Sequence, residues 1–218
     1  MTTITFADAL KQRSIDRWQK ILTHRFIMEL SSDILPSNKF VFYLRQDRYF
    51  LEEFSRFLNS AKQKTSDNKL KEWLDSLYLS TVDFEMKMQE QLLNSLASLS
   101  SSSPNTLINT ANHHIIIPSK TTFDYTCYLK HTSSAGTFSE IVSVMAACPW
   151  TYLEIADKLS KINIRNEIFR KWAQFYSSND SRRQVEGIKQ ILNMLAEKEN
   201  EKSKNAMENH FITACKYE

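Results

Sequence analysis

Apolar positions recur every three or four residues along most of the chain, the spacing of helices that bury one face. From about Phe6 to Leu30 the stripe reads Leu10, Trp18, Ile21, Leu22, Phe26 and Leu30, with charges between. Leu35-Pro36-Ser37 breaks it, and Pro36 suits the first turn of a second helix, about Pro36 to Lys64. That helix carries Phe40, Tyr43, Leu44, Phe50, Leu51, Phe54 and Leu58. Thr65-Ser66-Asp67-Asn68 offers a stop and a new cap. A third helix to about Leu96 shows Leu70, Trp73, Leu74, Leu77, Val82, Met86 and Leu93 on its stripe. Further helices are expected at about Thr122–Ser134, Phe138–Lys161, Ile164–Ser177 (capped by Asn163), Asn179–Glu199, and from Ser203 to the end. The polar stretch from Ala97 to Thr122, with Pro104, Pro118 and a serine run, reads as one long crossover within a single bundle. One domain over residues 1–218 is expected.

Composition sharpens this picture. Among 218 residues there are only two glycines, Gly136 and Gly187, and four prolines. A phosphate-cradling loop or a dinucleotide fingerprint needs two or three glycines within a few residues, so neither can exist here. Sheet sandwiches and barrels draw on Gly and Pro for their turns. The expected class is all-α, a multi-helix bundle. A formal charge of +3 is too mild to imply nucleic acid. No apolar run long enough for a membrane span exists, and the start of the chain lacks a signal-peptide pattern. Three cysteines without metal-like spacing (Cys127, Cys148, Cys215) suit free thiols in a reducing cytoplasm.

The informative positions are polar residues on apolar stripes. Ile141, Met145, Cys148, Tyr152, Ile155 and Leu159 share one face of the helix from Phe138. Cys148 lies at its centre, and Pro149 after it should kink the helix. On spacing alone, a small buried hydrophobe is the ordinary reading of such a cysteine. Asp47 falls between Leu44 and Leu51, where a carboxylate must find donors or protonate. Glu218 completes the run Met207, Phe211, Ala214, although a terminal residue ordinarily frays into water. A thiol, two acids and Tyr125, Tyr152 and Tyr176 facing one core would form an acid/base site around a nucleophile. None of His24, His113, His114, His131 and His210 completes a Glu-x-x-His pair, and His113-His114 reads as a solvated pair.

These residues resemble the TenA (thiaminase II) family, which has a haem-oxygenase-like helical fold. Tyr43-Leu44-Arg45-Gln46-Asp47 and the residues after it look like the family's Y-x-x-Q-D-x-Y-Y-L segment. Phe123-Asp124-Tyr125-Thr126 looks like its F/Y-x-Y-T segment, and Cys148 to Glu154 like C-x-W-x-Y-x-E. Phe169 to Trp172, with Tyr176, looks like Y-x-x-W-x-x-x-Y, and Tyr217-Glu218 like the closing Y-E. The five lie in the right order over nearly the whole chain.

The resemblance implies hydrolysis of aminopyrimidines, including thiamin breakdown products, to hydroxymethylpyrimidine for thiamin salvage. It implies Cys148 as nucleophile, Asp47 as the anchor that helps protonate the ring, and Glu218 as the acid/base group. Tyr125 and Tyr176 would hold the ring or these side chains, and Tyr152 would support the cysteine. Phe50 stands where the family has a second tyrosine, and Gln89 where it often has histidine. The family's last helix usually continues beyond the position of Glu218. A weakly active or inactive pyrimidine-binding homologue is the alternative. No metal or other cofactor is implied. The partners implied are a small pyrimidine and copies of this chain in a homotetramer, without nucleic acid or membrane.

Overall fold

The computed structural model describes residues 4–100 and 116–218. Among these, all regular structure is helical. The crossover's centre, with His113 and His114, lies outside the described residues.

The expected first helix is three: α1 (Phe6–Arg13), α2 (Ile15–Leu22) and α3 (Arg25–Ser31). The chain leaves helical geometry at Ser14 and Thr23, and His24 caps α3 by accepting the Phe26 amide at Nδ1. The turns re-aim the apolar stripe, so that Leu10 and Trp18 join one core cluster and Ile27 and Leu30 another. A long helix follows, α4 (Ser37–Ala61), with Pro36 as its N-cap rather than inside its first turn.

The expected third helix is α5 (Asn68–Leu79) and α6 (Met86–Ser100), joined by one π-helical stretch, Ser80–Glu85. Its inward residues run Leu74, Leu77, Thr81, Met86, Gln89, Leu92 and Leu96. The step of five between Thr81 and Met86 marks the inserted residue, which rotates everything beyond it. Hence Leu92 is buried, while Leu93 of the expected stripe is only half-buried.

The C-terminal half holds α7 (Lys120–Ala135), α8 (Phe138–Leu159), α9 (Glu167–Tyr176), α10 (Asn179–Lys198) and α11 (Glu201–Tyr217). Gly136 separates α7 from α8. A Cβ there would lie 2.7 Å from the Thr132 carbonyl oxygen, so the close backbone approach itself demands glycine. Thr137 and Glu140 then form a capping box for α8. The cap of α9 is Asn166, not Asn163. Asp33, in the left-handed region at φ 58°, accepts the Arg165 and Asn166 amides at 2.8 and 2.9 Å. That tie holds the entry to α9 against the α3–α4 turn, which moves its start beyond the asparagine nearest the end of α8. Asn200 likewise starts α11 two residues earlier than its stripe suggests.

Central in the bundle, α8 packs on α10, α11, α9, α7 and α2, while α4 packs on α5, α6 and α7. Two apolar clusters result, and α4, α6 and α8 pass through both. On α4, Leu44 belongs to one cluster and Phe50 and Leu51 to the other. On α8, Ile155 belongs to the first and Met145 to the second. Asp47 and Cys148 sit at the seam. No helix among the described residues is long and apolar enough to cross a membrane.

Candidate active site

Cys148 and Tyr152 are less buried than their stripe neighbours Ile141, Met145, Ile155 and Leu159 because they face a cavity instead of packed side chains. Helix α8 continues through Pro149 to Leu159. The missing proline N–H leaves the Met145 carbonyl without its helical donor one turn from the thiol. The Thr151 hydroxyl bonds the Cys148 carbonyl at 2.9 Å.

The cavity measures about 730 Å³, within the range of small-molecule sites. Asp47 and Phe50 from α4, Tyr125 from α7, Cys148 and Tyr152 from α8, and Glu218 all line it. Six of the seven residues singled out from the sequence therefore meet in one place. The seventh, Tyr176, lines a neighbouring cavity instead and donates to Glu85 Oε1 at 2.6 Å.

Glu218 does not fray. Its amide bonds the Ala214 carbonyl at 3.0 Å. The preceding Tyr217 stacks on Tyr125, with centroids 5.0 Å apart at 11°. The Tyr125 hydroxyl donates to Glu218 Oε1 at 2.9 Å, and the nearby Cys148 thiol also favours the ionised form of this carboxyl. Burial, with the Asp47 charge adding to it, raises the Glu218 pKa to about 7 against the opposing pull of Tyr125 and Cys148.

Asp47 is 9% exposed and accepts at Oδ2 from Tyr43 Oη at 3.0 Å and Gln89 Nε2 at 2.6 Å. Burial dominates even so and raises its pKa to about 7. Tyr43 is itself held by Trp172 Nε1 and lies 3.2 Å from the Tyr152 hydroxyl, joining α9, α4 and α8. Gln89 is fully buried, and among the described residues its Oε1 has no hydrogen-bond partner.

Glu85 was not among the sequence candidates. It closes the π-helical stretch, and it follows Leu74, Leu77 and Thr81 at spacings of 3, 4 and 4, so an acid at helical spacing on the inward stripe was the signal that could have found it. Burial and then the nearby Asp47 charge raise its pKa to about 8. Burial, followed by the charges of Glu218, Glu85 and Asp47, pushes the Cys148 thiol well up. The resting group is a neutral thiol among acids that exchange protons near neutrality. Such a set can donate a proton at one place and accept one at another.

Among the described residues no group of three His, Cys, Asp or Glu side chains could hold a metal ion. His210 pairs with the Tyr128 hydroxyl at 2.7 Å, and neither lines the cavity.

Comparison with known proteins supplies the family. The chain is 24% identical over 213 residues to the aminopyrimidine aminohydrolase of Bacillus subtilis (strain 168), covering 98% of this chain and 86% of that one. It is 23% identical to the aminopyrimidine aminohydrolase of Helicobacter pylori, over 96% of this chain and 93% of the other. The solved structure of a TenA homologue from P. horikoshii OT3 superposes with a TM-score of 0.81 at 25% identity, covering 98% and 94% of the two chains. The bundle is thus haem-oxygenase-like. The TENA/THI-4/PQQC family profile matches residues 12–218, and with that match over nearly its whole length the chain belongs to this family.

Proposed function

We propose that the protein is an aminopyrimidine aminohydrolase, acting on aminomethylpyrimidine with thiamin as a second candidate substrate, through covalent addition of Cys148. One observation carries this reading: a thiol, Cys148, shares a cavity with two acids, buried Asp47 and half-buried Glu218, whose surroundings raise both pKa values to about 7. The relatives named as aminopyrimidine aminohydrolases support the substrate class.

The chemistry follows from the groups present. An aminopyrimidine has an amidine edge that a carboxyl group pairs in bidentate fashion. Asp47 gives its proton to the ring nitrogen and remains as the paired carboxylate. The ring becomes electrophilic. The Cys148 thiol passes its proton to ionised Glu218, and sulfur bonds to the ring carbon beside the one bearing the methylene arm. Ring electrons then expel the amine, the C–N pair leaving with nitrogen, and Glu218 returns the proton to it. Water adds to the exocyclic methylene and leaves its proton on Glu218. The S–C bond breaks, the sulfur recovers that proton, and Asp47 recovers the ring proton. An amine has been exchanged for a hydroxyl at the expense of one water. Covalent addition divides one difficult displacement into easier steps. Phe50, 5.1 Å from Tyr125, offers the ring an apolar face without a hydroxyl.

The test is ammonia release from aminomethylpyrimidine, run beside thiamin. Cys148→Ala should lower turnover by at least about a thousandfold, and full turnover in that variant overturns the covalent route. Tight hydroxymethylpyrimidine binding without ammonia release would select the non-catalytic alternative. The family resemblance further points to a cytoplasmic homotetramer, which sedimentation of the pure protein tests for assembly.

A further inference from the structure

Gln89 is out of place on α6. Its inward neighbours are Met86, Leu92 and Leu96, and it is buried as deeply as they are, yet it carries an amide. It lines neither the cavity of Cys148 nor the one beside Tyr176. Its Nε2 donates to Asp47 Oδ2 at 2.6 Å, and among the described residues nothing bonds its Oε1. A buried carbonyl without a donor destabilises the fold, and an apolar side chain of similar length would avoid the loss. The amide's one partner is Asp47, so whatever offsets that loss lies there.

Both donors that reach Asp47 converge on one oxygen. Tyr43 Oη and Gln89 Nε2 bond Oδ2, and among the described residues no hydrogen bond reaches Oδ1. A carboxyl oxygen has two lone pairs, and on Oδ2 both are taken. A proton on Asp47 therefore belongs on Oδ1, the oxygen left for the cavity that this residue lines. The other ionisable groups around Asp47 are Glu85, Cys148, Tyr152, Tyr176 and Glu218, none of them a cation. The two donors differ in permanence. The Tyr43 hydroxyl lies 3.2 Å from Tyr152 Oη and has a second acceptor to turn to. Among the described residues Gln89 Nε2 has no other. Turning the amide over would set Oε1 against Oδ2 and strand two N–H donors in place of one acceptor.

We propose that Gln89 is a positioning residue acting through Asp47: by holding Oδ2 permanently, it confines the exchangeable proton to Oδ1 and aims it at the ring nitrogen of the pyrimidine. The catalytic consequence rests on the proposed aminohydrolase reading. When substrate enters, Oδ1–H meets the ring nitrogen and the Tyr43 hydroxyl turns to Tyr152. The amino group of the ring then donates to Oδ2 in the place Tyr43 leaves, so the amidine edge is paired at both oxygens with Gln89 still bonded. The proton passes from Oδ1 to the ring nitrogen. The Gln89 N–H, already on Oδ2, stabilises the carboxylate that remains. Without Gln89 the proton is free to sit on either oxygen, and on Oδ2 it points away from the ring.

Infrared difference spectroscopy of the full chain tests the arrangement without substrate. At about pH 5.5 ordinary surface carboxyl groups are ionised and Asp47 is protonated, and its band is the one that Asp47→Asn abolishes. With Oδ2 as the carbonyl oxygen and two hydrogen bonds on it, the C=O stretch should lie well below that of an unbonded carboxylic acid. Gln89→Met and Gln89→Leu, which remove the donor, should each move it upward. In aminomethylpyrimidine turnover, Gln89→Met should lower kcat by at least about tenfold. The falling limb of its pH profile, which reports protonated Asp47, should move up by roughly one unit. These changes oppose each other. The limb shift alone would raise the rate above pH 7, and a packing defect would lower the rate with the limb unmoved. An unbonded Asp47 band in the unaltered protein overturns the proposal, whether or not either variant folds. A band that both variants leave in place, or an unmoved limb in Gln89→Met, overturns it too. Turnover with an unmoved band refutes the role of Gln89 alone. A band that moves in a protein without turnover upholds the proton's placement while the aminohydrolase reading fails.

Discussion

Tyr125→Phe isolates one hydroxyl at the centre of the proposed chemistry. The ring stacks on Tyr217 and lies 5.1 Å from Phe50, and phenylalanine keeps both contacts. What disappears is the 2.9 Å hydrogen bond to Glu218 Oε1, which favours the ionised carboxylate. A hydrogen bond to a charged group contributes about 1.5–3 kcal/mol. At about 1.4 kcal/mol per pKa unit, Glu218 should rise from about 7 by roughly one to two units. The mechanism requires ionised Glu218 and protonated Asp47, and both titrate near 7, so the rate against pH is a bell centred there. Moving only the rising limb shifts the optimum upward by roughly half to one unit. The doubly correct protonation state then becomes scarcer, and the peak falls roughly four- to thirty-fold. The assay is ammonia release from aminomethylpyrimidine between pH 5 and 10, with far-UV dichroism as the folding control. A lower peak at an unchanged optimum would refute the reasoning, because a merely structural tyrosine lowers the rate without moving the limb.

The two glycines should respond in opposite directions. Gly136→Ala drives a Cβ to 2.7 Å from the Thr132 carbonyl and should cost on the order of 1–3 kcal/mol, while Gly187→Ala should gain about 1 kcal/mol, or roughly 2–4 °C in thermal melting. Glu85→Gln should stabilise the fold, and increasingly so as pH rises. A carboxyl raised from 4.5 to about 8 favours the folded state fully below pH 4.5, and that advantage is lost as pH climbs through the folded value. Melting at pH 5 and pH 8 should show a gain on the order of 4 kcal/mol at the higher pH and less than about 1 kcal/mol at the lower. Asn166→Ala should cost about 1 kcal/mol through loss of the α9 cap, whereas Asn163→Ala should be near neutral, read by the same melts.

The helices were legible because a helix that buries one face must repeat apolar residues every three or four positions. Polar residues interrupting that repeat were legible as candidates for the same reason: Asp47 between Leu44 and Leu51, Cys148 between Met145 and Ile155. Periodicity misled where backbone geometry changes without a change of residue type. The stripe from Phe6 to Leu30 runs on across Ser14 and Thr23, although the helix stops at both. Asn163 and Asn166 are equally good caps in isolation, and only the Asp33 carboxylate, from over a hundred residues away, selects the second. Glu85 was legible in the same way, since it follows Leu74, Leu77 and Thr81 at spacings of 3, 4 and 4, but a stripe drawn through Val82, Met86 and Leu93 passes it by.

The sequence by itself thus determined the all-helical class and the polar residues that would face inward, since both follow from local spacing and from the lack of glycine. The tertiary structure decided which of them meet. It brought Glu218 at the chain's end against Tyr125 and Cys148, turned Tyr176 away toward Glu85, and set the cavities where the two cores join. It also decided their protonation. A carboxyl group's pKa depends on how much water and charge surround it, and those surroundings come from helices far apart in the chain.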